Sequence, residues 1–224
     1  MIMKQVASGE GLRRQLHKAR LYLCVDASLG EAGTLDLIRE AIDGGVDIVQ
    51  LRDKTLSARD ELALLEKTRQ ICVDRGALYA VNDRADLALL TGAQVFHTGQ
   101  DDLPIPAIRQ LLGPEVLLGR STHSRQQAAA AAADPEIDYF CIGPVWETPT
   151  KPGRPAVGLD TVAAVAAMTS AEPTARPWFA IGGIDAELLP GVLAAGAERI
   201  VVVRAITRSD DPSAAAARLR AGLS

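Results

Sequence analysis

The sequence predicts an α/β protein: a single (β/α)8 barrel with one extra helix ahead of its first strand. Three observations carry that prediction. Short apolar segments alternate with helical segments eight times within 224 residues, the pattern of βαβ units and a parallel sheet. Glycine recurs where a helix hands over to the next strand, at Gly45, Gly76, Gly92 and Gly196, the usual left-handed stop. Polar and charged residues gather at the other, C-terminal ends of the strand segments, where barrels bind their ligands.

Taken in order, residues 8–19 form a polar amphipathic helix with no strand before it. The strand candidates are Leu21–Val25, Val46–Leu51, Leu78–Val81, Gln94–His97, Val116–Leu118, Tyr139–Ile142, Trp178–Ile181 and Ile200–Val203. Helical stretches follow them at 32–43, 57–74, 84–91, 104–112, 125–133, 159–168, 185–195 and 212–222. Helix starts are marked by Ser57 with Asp60 three residues on, by Thr122 or Ser124, and by Asp185 after Gly183-Ile184. The run Ala128–Ala133 fits an outer helix with a small-residue packing face. No stretch resembles an interdomain linker, so residues 1–20 are taken as a helical extension and 21–224 as the barrel. A doubly wound open sheet is the structural alternative. It calls for a glycine-rich turn after the first strand, where this chain has Asp26-Ala27-Ser28-Leu29-Gly30.

Composition narrows the class. Hydrophobic residues make up 48% and aromatics only 4%, so Ala, Val, Leu and Ile must build the core, as in buried parallel sheet. A net charge of −4 argues against a broad nucleic-acid surface. No apolar run approaches the roughly 18 residues of a spanning helix, and Met1–Gln5 lacks an apolar secretory region. Cys24, Cys72 and Cys141 are widely spaced in apolar contexts, as expected of reduced core residues in a cytoplasmic protein. Small phosphorylated molecules are the expected partners, with no nucleic acid and no membrane; oligomeric state is left open.

The chemistry concentrates at the strand ends. Alternation points Gln50, Arg52 and Lys54 one way; facing inward, they bring two cations and an amide to the barrel mouth, a set that suits a diphosphate. A salt bridge from these cations to a neighbouring aspartate is the plain alternative. Asp83 and Asp102 end adjacent strand segments and together suit a hard cation such as Mg2+, with Asp101 an equal candidate by spacing. After the sixth segment, Thr148, Thr150 and Lys151 lie on a loop stiffened by Pro144, Pro149 and Pro152, well furnished for a phosphate. Gly182-Gly183 offers bare backbone N–H groups at the seventh strand's end, the start of a phosphate cradle. Arg204 either assists there or points outward. His97 reads as a structural histidine and His123 as a candidate proton carrier. No Ser-His-Asp or Cys-His nucleophile stands out. Two anion sites with Lys151 between them imply two phosphorylated substrates brought together.

Five motifs in order resemble thiamine-phosphate synthases: Val49-Gln50-Leu51-Arg52-Asp53-Lys54, Val81-Asn82-Asp83-Arg84, His97-Thr98-Gly99-Gln100-Asp101-Asp102, Gly143-Pro144-Val145 with Thr148-Pro149-Thr150-Lys151, and Ile181-Gly182-Gly183-Ile184. The resemblance runs from about residue 20 to the end. It implies a Mg2+-dependent enzyme that joins hydroxymethylpyrimidine diphosphate to thiazole phosphate, giving thiamine phosphate and pyrophosphate through a dissociative substitution. Gln50, Leu51, Arg52, Asp53, Lys54, Asn82, Ser121 and Lys151 would then bind the pyrimidine diphosphate, with Arg52, Lys54, Ser121 and Lys151 taking part in catalysis. Asp83 and Asp102 would hold the metal. Thr148, Pro149, Thr150 and Gly183 would hold the thiazole phosphate, closed in by Val203 and Arg204. Arg204 stands where the family more often has serine, and Trp146-Glu147 where an aromatic-proline pair is usual. A related thiazole tautomerase, with His123 moving the proton, and a non-catalytic phosphate sensor are the competing readings.

Overall fold

Residues 8–148, 153, 155–172 and 174–223 are described by a computed structural model. Eight strands form one closed parallel ring: β1 (Leu21–Val25), β2 (Ile48–Leu51), β3 (Leu78–Asn82), β4 (Val95–Thr98), β5 (Leu117–Thr122), β6 (Tyr139–Ile142), β7 (Trp178–Ile181) and β8 (Ile200–Val202). Closure comes from β8 pairing with β1, Leu21 opposite Ile200 and Leu23 opposite Val202. Around the ring run α2 (Gly30–Asp43), α3 (Ala58–Arg75), α4 (Ala85–Thr91), α5 (Ile105–Leu112), α6 (Arg125–Ala133), α7 (Gly158–Ser170), α8 (Leu189–Ala194) and α10 (Pro212–Gly222). Two further helices are α1 (Gly9–Lys18), before the barrel, and α9 (Arg204–Thr207), directly after β8.

Strands buried on both faces explain why the sequence shows apolar runs and not a period of two. One face of the sheet packs against the helices through Leu23, Val49, Leu51, Val81, Phe140 and Ile142. The other face fills the lumen with Tyr22, Cys24, Ile48, Leu78, Val95, Leu117, Tyr139, Phe179 and Val201. Leu12, Leu16 and Ala19 join this inner cluster. Since α1 leads straight into β1, it closes the N-terminal end of the barrel. Burial of Leu12 and Leu16 contributes roughly 1.5–3 kcal/mol each. Ionic ties hold the same end: Asp138 accepts from Arg13 at 2.7 Å, from Arg109 at 2.7 Å and from the Leu118 N–H at 2.8 Å.

Several element ends shift by one or two residues, as in β2, which starts at Ile48 and not Val46, and three departures are larger. Strand β5 runs four residues past the expected Leu118, because Gly119-Arg120-Ser121-Thr122 carries no apolar signal. Backbone pairing to β6 and the Thr122 hydroxyl on the Cys141 carbonyl, 2.9 Å, hold it in the sheet. The helix expected at 185–195 begins only at Leu189; Asp185 instead caps a turn, accepting from the Glu187 and Leu188 N–H groups. The short helix α9 was not expected, since four residues show no periodicity. Ser57 and Ser124 do cap α3 and α6, each accepting an N–H three residues on. Among the described residues no helix is long and apolar enough to cross a membrane.

Gly119 marks the tightest point of the lumen. His97, Gly119 and Tyr139 lie side by side on β4, β5 and β6, and the Tyr139 ring crosses over Gly119. A Cβ there would sit 2.0 Å from Tyr139 Cζ. Gly119→Ala is therefore expected to cost at least about 1–3 kcal/mol from overpacking, seen as a lower Tm. An unchanged Tm would mean that the ring has room to move.

Candidate active site

Parallel closure puts every strand's C-terminal end on one rim. Over β2 to β5 lies a polar cleft of about 280 Å3, lined by Arg52, Lys54, Asn82, Asp83, His97, Asp101, Asp102, Ser121 and His123 among others. Lys54 Nζ stands 2.6 Å from Asp83 Oδ2. The cation and the carboxylate read from sequence as ligands for diphosphate and metal thus face each other. Asp102 adjoins Asp83 and accepts from the Gly99 N–H at 2.6 Å. Asp83 has φ +57°, the one positive value outside glycine among the described residues. Such a conformation persists where surrounding contacts impose it; here the Asp83 N–H is held on the His97 carbonyl at 3.0 Å. Burial pushes the Asp83 carboxyl up, but Lys54, Asp102 and Asn82 outweigh it and hold it below its ordinary value. It is a carboxylate at neutral pH.

Over β5 to β8 lies a second cavity of about 320 Å3. Its floor and walls are largely apolar, from Cys141, Ile181, Ile184, Val201, Val202 and Val203. Thr148, Asp185, Arg204 and the Gly182-Gly183 backbone supply the polar edge. The glycine pair works by close approach as much as by bare N–H groups. A Cβ on Gly182 would lie 2.5 Å from Pro144 Cα, and one on Gly183 2.8 Å from Trp146 Cβ. Their absence lets the segment after β6 dock on β7, with Val145 N–H on the Ile181 carbonyl and Trp146 N–H on the Gly182 carbonyl. Thr148 is carried to the same cavity as Gly183 by this docking. The first turn of α9 supplies Arg204 and Ala205, in the usual phosphate position of these barrels.

The two cavities share Ser121 and His123. Ser121 Oγ is 2.9 Å from His97 Nε2. His123 Nδ1 is 2.6 Å from the Gly143 carbonyl oxygen, so it carries a proton and donates it there.

Most of the residues expected from sequence therefore border one of two adjoining cavities. Three border neither. Gln50 is 2% exposed within the lumen, where its amide meets Tyr22 and Cys24. Leu51 faces the helix layer and is fully buried. The Asp53 carboxylate accepts from Ala27, Thr55 and Leu56 and ties the loops after β1 and β2 together, which sets the backbone carrying Arg52 and Lys54. Pro149, Thr150 and Lys151 lie outside the described residues. Sequence reasoning missed Cys141, Ile181, Ile184 and Val201 as cavity walls. An apolar strand residue looks the same in a list of letters whether it packs against a side chain or faces a void. Among the described residues no group of three or more His, Cys, Asp or Glu side chains could hold a metal by itself; Asp83 and Asp102 are a pair.

A (β/α)8 barrel with two anion-suited cavities on its C-terminal rim defines the class: an enzyme scaffold for phosphorylated small molecules. Residues 21–206 match the family model described as thiamine monophosphate synthase, and the chain belongs to that family. It is 59% identical over 211 residues to a thiamine-phosphate synthase of Thermobifida fusca, covering 94% of this chain and 95% of that one. It is 54% identical over 218 residues to a thiamine-phosphate synthase of Mycobacterium tuberculosis, covering 93% and 96%. A solved thiamine phosphate pyrophosphorylase from Pyrococcus furiosus superposes with a TM-score of 0.81 at 29% identity, covering 95% of this chain and 97% of that one.

Burial pushes the Asp53 carboxyl up, yet hydrogen bonds from Thr55, Ala27 and Leu56 prevail and lower it. A folded-state value below the unfolded one contributes stability that is complete above about pH 4 and is lost as pH falls through the folded value. Asp53→Asn is expected to lower Tm at neutral pH, with the gap to the unaltered chain closing in acid. A gap of constant size from pH 7 downward would show that the charge is not its source.

Proposed function

We propose that this chain is a thiamine-phosphate synthase. It condenses 4-amino-2-methyl-5-hydroxymethylpyrimidine diphosphate with thiazole phosphate, giving thiamine phosphate and pyrophosphate. The observation that carries this reading is the pair of unlike cavities meeting at Ser121 and His123. A polar cleft with cations and paired carboxylates suits the diphosphate; a largely apolar one edged by Thr148, Gly183 and Arg204 suits a small ring bearing one phosphate. The names of the relatives point the same way. A thiazole tautomerase would have no use for the Lys54–Asp83–Asp102 cleft.

The chemistry is a dissociative substitution. The bond between the pyrimidine methylene carbon and the diphosphate oxygen breaks, and its electron pair leaves with the diphosphate. The pyrimidine ring spreads the resulting positive charge, and the thiazole nitrogen donates its lone pair to the carbon. No protein nucleophile is needed. Arg52, Lys54 and Lys151 stabilise the departing charge, Ser121 and Asn82 donate to it, and Gln50 to Asp53 shape the floor and loop beneath. Pro149 and Thr150 belong with Thr148 on the thiazole phosphate, and Val203 and Arg204 close that pocket. Asp83 and Asp102 fit Mg2+, which prefers one or two carboxylates completed by water and phosphate oxygens. When bound, Mg2+ supplies positive charge against the diphosphate. The Lys54–Asp83 pair is partly exposed and worth at most about 1 kcal/mol, so Lys54 can exchange Asp83 for a phosphate oxygen at little cost. Three buried cysteines, none of them in a disulfide, and freely diffusing phosphorylated substrates are consistent with a cytoplasmic setting.

The test is pyrophosphate release from the two substrates together, with and without Mg2+. Asp83→Ala is expected to reduce kcat roughly 100-fold and abolish most of the Mg2+ dependence. Lys54→Ala should raise KM for the pyrimidine diphosphate and leave that for the thiazole phosphate nearly unchanged. Full activity in Asp83→Ala would remove the metal assignment, and equal losses for both substrates in Lys54→Ala would remove the division of the site.

A further inference from the structure

A line of polar side chains crosses the otherwise apolar lumen and ends at the wall shared by the two cavities. Cys24 Sγ lies 3.3 Å from Gln50 Oε1 and donates to it. Gln50 Nε2 donates to the Tyr22 hydroxyl at 2.8 Å. That hydroxyl is 3.2 Å from the Tyr139 hydroxyl, which is 3.0 Å from His97 Nδ1. His97 Nε2 is 2.9 Å from Ser121 Oγ. Tyr22 is 1% exposed and Tyr139 fully buried. Such groups are costly in a core unless hydrogen-bonded, and burial raises both phenols well above their ordinary value, so both keep their protons. The fold makes room for the line: Gly119 lacks the Cβ that would strike the Tyr139 ring.

The line has a direction. An amide N–H cannot accept, so Tyr22 accepts from Gln50 and turns its own proton to Tyr139. Tyr139 then donates to His97 Nδ1. A neutral imidazole with Nδ1 accepting carries its proton on Nε2, which donates to Ser121 Oγ. The Ser121 proton is thereby excluded from the lumen and turned toward the cavities. Reversed, Ser121 would donate inward and turn only lone pairs toward a ligand, which would repel an anionic oxygen.

We propose that Gln50, Tyr22, Tyr139 and His97 are positioning residues that set the direction of one hydrogen-bonded chain and so fix the Ser121 hydroxyl as a donor to the anionic ligand. The proposal rests on the reading of Ser121 as a ligand of the diphosphate, and it gives buried Gln50 a task at a distance from the rim.

The first measurement is 15N NMR of the His97 ring in the unaltered, ligand-free protein, assigned by the signal lost in His97→Asn. A protonated Nε2 and a bare Nδ1 at neutral pH are expected; a protonated Nδ1 overturns the proposal. The second is kinetic. Tyr139→Phe keeps the ring and removes the hydroxyl, and should raise KM for the pyrimidine diphosphate roughly 10-fold, the scale of one hydrogen bond to a charged group. KM for the thiazole phosphate should hold steady. Ser121→Ala should do the same, and the double variant should be no worse than Ser121→Ala alone. Tyr22→Phe breaks the line one link earlier and serves the same cycle if Tyr139→Phe folds poorly. Additive losses in either cycle overturn the proposal while leaving the synthase reading intact. Absence of turnover in the unaltered chain overturns that reading instead and with it the role given to Ser121; the tautomer, measured without substrate, tells the two failures apart.

Discussion

Pairing of β8 with β1 closes the sheet, and everything at the site depends on that closure. Side chains drawn from residues as far apart as Arg52 and Arg204 come to one rim because eight parallel strands must all end there. An open sheet of the same strands would spread these residues along an edge. Closure also creates the lumen, which α1 seals from below with Leu12 and Leu16. Both site cavities open at the opposite end, the rim that carries the chemistry.

The two cavities differ because the strand ends around the ring differ. From β2 to β5 they finish in or lead into charged, amide and hydroxyl residues, so the cleft there is polar. From β6 to β8 they finish in glycine and aliphatic residues, so the cavity there is lined by carbon and bare backbone. Ser121 and His123 on and just after β5 form the boundary. Without ligand, Lys54 and Asp83 neutralise one another at 2.6 Å.

Much of the fold was legible from the letters. Strands β1, β6 and β7 lie where their apolar runs placed them, since a run buried on both faces is hard to mistake when a turn bounds it. The polar end of β5 was missed as strand, because Ser121 and Thr122 belong to the sheet through backbone pairing that leaves no side-chain signal. Helix α9 was missed for its brevity, although it furnishes one edge of a cavity. Arg52, Lys54, Asn82, Asp83 and Asp102 line one cleft, and their grouping was legible because charged and amide groups recur at the ends of successive strand segments. The role of Gln50 was only half legible. Alternation pointed it inward, but its partners Tyr22 and Cys24 sit on another strand, 28 and 26 residues away in sequence. Gly119 carried no functional signal, since its purpose is the space it leaves for Tyr139.

The central claim is that two anions are held side by side at one rim, each in its own cavity. Calorimetric titration of the thiazole phosphate into the protein, first alone and then with Mg2+ and saturating pyrophosphate, tests it most directly. Simultaneous binding is predicted, one thiazole phosphate per chain in both titrations, with an affinity altered by less than about tenfold, or roughly 1.4 kcal/mol. Strict competition, with pyrophosphate abolishing the thiazole phosphate signal, would contradict the account.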